Sequence, residues 1–174
     1  MMRYARTLLP VSLALAIAAT STCTYKPRTE PPNTGPGSVK LARQYLEGRW
    51  TLVSFVVYPP NAAPVEIKGS GTLVYDDYAN LTMDVSVDEA SAALMQKAGI
   101  QVDKGRVSTK GRTIVDMQGR SLTYIMEGQP AVGGPAGPLA MSRPRYWQVD
   151  GNVLTLTTRD DKGQPLSVGK WQKQ

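Results

Sequence analysis

Trp147-Gln148-Val149-Asp150-Gly151-Asn152-Val153-Leu154-Thr155-Leu156-Thr157-Thr158 is the stretch that decides the fold class. Two runs rich in β-branched and aromatic residues flank Asp150-Gly151. That dipeptide suits a two-residue hairpin turn, because such turns need positive φ at their centre. The stretch therefore predicts two antiparallel strands with a tight connection.

Strand signals continue on both sides. Toward the carboxyl end, Asp161-Lys162-Gly163 forms a turn ahead of a strand over residues 166–171. Toward the amino end, strands are predicted over residues 106–108, 112–117 and 122–126, with a turn at Gln118-Gly119. An Ala/Gly/Pro-rich loop at residues 129–139 breaks the meander once. It has no strand-Gly-helix context and no Lys-Ser or Lys-Thr after its glycines, so it does not read as a phosphate cradle. Further back, residues 50–58 form a strand stopped by Pro59-Pro60, and residues 71–75 form another. Asp76-Asp77-Tyr78-Ala79-Asn80 turns into a strand over 81–85, where Leu81, Met83 and Val85 share one face.

One helix interrupts this series. Ser86-Val87-Asp88-Glu89 reads as a capping box, and Val87, Ala90, Leu94 and Ala98 give one apolar stripe before Gly99 ends the helix. The fold expected is all-β: an antiparallel up-and-down barrel of eight or nine strands with one short surface helix. Closure into a barrel removes both sheet edges. A sandwich is the alternative, disfavoured by the short connections.

The amino end reads as an address. Arg3 and Arg6 precede an apolar stretch over residues 8–19, so residues 1–22 are expected to be a secretory signal peptide. Residues 23–38, with Pro27, Pro31, Pro32 and Pro36, read as a linker, and 39–174 as the barrel domain. Cys23 is the single cysteine, so no intramolecular disulfide is possible. It is either a site of lipidation or a dispensable residue near the cleavage point. Thr20-Ser21-Thr22 departs from the small-residue pattern of a good lipidation signal. The expected location is exported, periplasmic or secreted, with membrane contact only through a lipid on Cys23.

Net charge is +6, dispersed without a Lys/Arg run, which argues for solubility and against nucleic acid. The chain has no histidine. That removes the usual general base, the Ser-His-Asp triad and imidazole metal sites. Asp76/Asp77 and Asp160/Asp161 are paired carboxylates, but each pair lies in a turn and is expected to face solvent. No catalytic residue, cofactor or metal site is expected.

At this point the residues resemble a family. Leu46-Glu47-Gly48-Arg49-Trp50-Thr51-Leu52-Val53-Ser54 resembles the opening of bacterial lipocalin-like domains, with Gly-x-Trp on the first strand after a short helical turn. Gly71 to Tyr75 with Asp77 and Asn80 is similar to their second hairpin, and Trp147 through Asp150-Gly151 to Lys170-Trp171 to their closing strands. The resemblance spans roughly residues 46–172. It implies a small calycin-type barrel closed at one end by Trp50, with Lys170 or Lys173 packed over the ring. Departures exist: there is no Thr-Asp-Tyr motif and no arginine on the last strand, and the helix is not part of the usual layout.

Leu52, Met83, Met117, Leu122, Tyr124, Met126 and Trp147 are candidates to line a cavity, with its mouth near residues 129–139. An eight-stranded barrel can be packed or hold one small ligand, and the packed interior is the favoured reading. The first functional expectation is a non-enzymatic exported protein that binds a small hydrophobic ligand or lipid. The second is a packed interaction module for an unknown envelope protein, inhibitor- or chaperone-like. A third is an enzyme of the cyclase or isomerase sort working by shape alone.

Overall fold

A computed structural model describes residues 44–98, 100–127 and 139–174. The expected signal peptide, the linker, Cys23 and most of the Ala/Gly/Pro-rich loop lie outside the described residues. Nine strands follow in order: β1 (Gly48–Val57), β2 (Val65–Glu66), β3 (Gly69–Tyr75), β4 (Asn80–Val87), β5 (Arg106–Asp116), β6 (Ser121–Met126), β7 (Arg145–Asp150), β8 (Val153–Arg159) and β9 (Pro165–Lys173). A helix, α1 (Glu89–Lys97), sits between β4 and β5, and residues 44–46 form a short helical turn just before β1.

Every pairing is antiparallel, and β1 pairs with β9, which closes eight strands into a barrel. The ninth, β2, adds two residues against Val56 and Val57 of β1, on the side that β3 takes further down. Closure leaves no open edge to pair with another chain along most of the barrel.

The turns are made by local side chains. Asp76 Oδ1 accepts from the amides of Tyr78 (2.9 Å) and Asn80 (2.8 Å). Asp116 Oδ1 accepts from Gln118 and Gly119, both at 3.0 Å. Asp160 Oδ1 accepts from Lys162 (2.9 Å) and Gln164 (2.7 Å). These are Asx turns, which offer the backbone an alternative to the ladder and so end a strand. Between β7 and β8, Gly151 takes φ 55°, as the Asp-Gly hairpin requires.

Two expectations about element boundaries are corrected. Residues 106–108 and 112–116 are not separate strands but parts of one strand, β5, and Met117 lies in the turn that follows it. Gly111 does not break it; it pairs with Leu81 on one side and Met126 on the other. A Cβ there would lie 2.5 Å from the Ile125 carbonyl oxygen, so the close approach of β6 accounts for the glycine. The second correction concerns the helix. Ser86 and Val87 belong to β4, paired with Ser70 and Gly69. The N-cap is Asp88, whose carboxylate accepts from the Ser91 amide at 2.8 Å. The face turned to the protein carries Ser91, Met95 and Ala98, with Leu94 partly buried beside them, while Ala90 of the expected stripe is exposed. The Ser91 hydroxyl accepts from the Lys68 amide at 3.0 Å and fixes that rotation.

Strand directions separate the two ends. Trp50, at the start of β1, pairs with Leu73 near the end of β3 and Lys173 at the end of β9. The turns at 76–79, 117–120 and 151–152 lie at this end. Helix α1 and residues 139–143 lie at the other, joined by the Leu139 amide donating to the Ala98 carbonyl at 3.1 Å. The apolar core runs between, from Trp50, Leu122 and Leu154 up to Met95 and Ile100.

Candidate functional site

Inside the barrel is a cavity of about 70 Å³, counted as the space open to the centre of a water molecule. That is several times the roughly 10–15 Å³ needed for one water. Leu52 and Phe55 of β1, Leu73 of β3, Met83 and Val85 of β4 and Val107 of β5 form one apolar side. Leu156 and Trp171 face them from β8 and β9, and Met95, Ile100, Leu139 and Met141 complete the wall toward the helix end. Strand alternation puts these residues on the inner face, and in β1 the register shift between Leu52 and Ser54 lets both Leu52 and Phe55 face inward.

The polar part of the wall is compact. Arg145, Thr158 and Ser167 occupy one cross-strand row, since Arg145 pairs with Thr158 and Thr158 with Ser167. All three are buried, Arg145 at 8% exposure, and all three line the cavity. Tyr124 joins them from β6. The Arg145 guanidinium carbon lies 4.8 Å from the centre of the Tyr124 ring, a cation–π contact. Its Nη1 donates to the carbonyls of Met141 (2.9 Å) and Arg143 (2.8 Å), with longer contacts from Nη2 to Leu139 and Ala140, both 3.4 Å.

Below this row, Tyr124 Oη and Tyr75 Oη share a hydrogen bond of 2.6 Å. Burial, reinforced by Tyr124, pushes the Tyr75 phenol well above its ordinary value. Burial also pushes the Tyr124 phenol up, against the opposing charge of Arg145. Both phenols are therefore neutral donors and acceptors near neutral pH. Burial pulls the Arg145 guanidinium down from its usual value, because desolvation disfavours the charged form.

Of the seven residues expected to face a cavity, Leu52, Met83 and Tyr124 line it. The other four do not. Leu122 and Trp147 are buried one row nearer the Trp50 end than Tyr124 and Arg145, where the interior is packed. Met126 is buried, with its sulfur in the space left by Gly111, 3.1 Å from where a Cβ would stand. Met117 follows β5 in the turn at the Trp50 end. Trp50 is fully buried, its Nε1 donating to the Leu46 carbonyl at 2.8 Å, and Lys173 Nζ lies 5.3 Å from its ring centre. Lys170 is exposed.

Sequence reasoning missed Arg145, Thr158 and Ser167. The signal was present: each stands two residues from an inward apolar position on its strand, namely Trp147, Leu156 and, through Gly169, Trp171. Reading 145 as the polar first residue of a strand hid it.

The paired carboxylates need a correction too. Asp76 and Asp160 are half-buried and hold backbone amides of their turns, while Asp77 and Asp161 are exposed. Among the described residues no cluster of acidic, histidine or cysteine side chains could hold a metal, and no helix is long and apolar enough to cross a membrane. No protein-family model matches this chain, and neither does any curated protein.

Proposed function

We propose that this chain is an exported, non-enzymatic protein of the lipocalin-like group that binds a small apolar ligand or lipid inside its barrel. The observation that carries this reading is the interior cavity of about 70 Å³ with its largely apolar wall. Empty apolar space costs dispersion contacts and transfer energy, so a packed scaffold has no use for it. The membership rests on the closed eight-strand barrel and on Trp50 buried beneath Lys173, the arrangement implied by the Gly-x-Trp opening. Export rests on the signal-like residues 1–22, and anchoring on lipidation of Cys23. Replacing Cys23 with Ser is expected to move the protein from the membrane to the soluble fraction.

The cavity limits the ligand to a small one of about five or six heavy atoms, since each water-sized unit takes roughly 10–15 Å³ of such space. Titration calorimetry with 1-butanol tests the reading. Saturable binding is expected for the native protein, and its loss in Met83→Trp, where the indole fills the space beside Leu73 and Thr109. Absence of saturable binding to the native protein overturns the reading and leaves the packed interaction module as the better account.

A further inference from the structure

Arg145 is a buried cation in the wall of an apolar cavity, and no carboxylate among the described residues pairs with it. Each of its hydrogen-bond partners is a main-chain carbonyl or the Met141 sulfur. Its Nε makes no hydrogen bond to a described residue. The two ion pairs among the described residues are Arg106–Asp84 and Arg143–Asp161, neither of which involves it. Residues 128–138, Gly-Gln-Pro-Ala-Val-Gly-Gly-Pro-Ala-Gly-Pro, carry no Asp or Glu at all. Carbonyl dipoles solvate the guanidinium, yet among the described residues its unit charge has no counter-charge, and it sits in a poorly hydrated place. Such a charge is costly to keep without a counter-charge.

The surroundings are arranged for that counter-charge. Thr158 and Ser167 put two hydroxyls in the same inward row as Arg145, and Tyr124 adds a phenol that burial keeps protonated. A hydroxyl can donate to an anion, and a hydrogen bond to a charged partner is about twice as strong as one between neutral groups. Leu52, Leu73, Met83 and Val107, elsewhere on the wall, offer only apolar surface. Charge and hydroxyls at one part of the cavity with hydrocarbon over the rest match an amphiphile.

We propose that Arg145, with Tyr124, Thr158 and Ser167, forms a head-group subsite selecting small molecules that carry a single negative charge, short-chain carboxylates being the class that fits. The carboxylate takes the Arg145 Nε–H, the guanidinium donor without a partner among the described residues, together with the hydroxyls, and the short alkyl chain lies against Leu52, Leu73 and Met83. This rests on the cavity being a ligand site, and the test is designed so that the two can fail separately.

The experiment compares butanoate, 1-butanol and butylammonium by titration calorimetry against the full chain at neutral pH. Butanoate is expected to bind at least tenfold more tightly than 1-butanol, with butylammonium the weakest. Arg145→Met is expected to abolish that preference, so that butanoate and 1-butanol bind the variant equally. Should Arg145→Met not fold, the native protein's butanoate-to-butanol ratio decides, and Thr158→Val with Ser167→Ala is expected to reduce that ratio. Equal affinity of the native protein for butanoate and 1-butanol, or a preference kept in folded Arg145→Met, overturns the head-group subsite and leaves the cavity reading standing. Failure of all three to bind overturns both.

Discussion

Tyr75 Oη and Tyr124 Oη meet at 2.6 Å inside the barrel, and so tie β3 to β6 across two intervening strands. Removing one hydroxyl leaves the other buried without its partner. Tyr75→Phe is expected to cost about 1–3 kcal/mol in urea unfolding. Adding Tyr124→Phe should then cost less than it does alone, because the orphaned group goes with it. Strict additivity of the two substitutions would show that the bond contributes nothing.

The same pair gives the barrel an alkaline sensitivity. Both phenols are raised by burial in the folded state, Tyr75 with reinforcement from Tyr124. The unfolded chain loses its phenol protons near pH ~10, while the folded state keeps these two. Their contribution is therefore fully present below pH ~10 and is lost as pH rises through the folded values. Unfolding free energies measured from pH 8 to 11 should fall at the alkaline end, and less steeply in the Tyr75→Phe/Tyr124→Phe protein. Identical slopes would contradict this.

Trp50 is fully buried and bonded to the Leu46 carbonyl. Trp50→Ala removes a large apolar surface and leaves a cavity at the end of the barrel. The expected loss is about 3–5 kcal/mol by denaturant titration. A loss below about 1 kcal/mol would place the ring outside the structure that closes this end.

Gly111 gives a sharper steric case. A methyl group at this position would meet the Ile125 carbonyl oxygen at 2.5 Å, which is backbone and cannot swing aside. Gly111→Ala is expected to destabilise by about 1–3 kcal/mol, the usual range for overpacking. A neutral or stabilising outcome would mean that β5 and β6 do not approach each other as described.

The strands were legible where period-two patterns met strong turn chemistry. Asp150-Gly151 and the Asp76 turn mark β7–β8 and β3–β4 from composition alone, because Asx geometry and positive φ are local properties. What stayed hidden depended on partners distant in sequence. Gly111 looks like a break until β6 is placed beside it, and the rotation of α1 is set by Ser91 accepting from Lys68, 23 residues away. The two-residue β2 exists only because β1 offers it an edge. The site was half legible for the same reason. Met83 and Leu52 follow from apolar alternation, whereas the row of Arg145, Thr158 and Ser167 forms only when the registers of β7, β8 and β9 are known.

Methyl resonances of methionine test most directly whether the barrel interior takes up a small apolar molecule. Met83, Met95 and Met141 line the cavity, while Met117 and Met126 do not. With ¹³C-methyl methionine, titration of 1-butanol should move the first three signals saturably with one common affinity. The Met117 and Met126 signals should stay close to their starting positions. Absence of any saturable shift, or equal shifts at all five, would contradict binding inside the barrel.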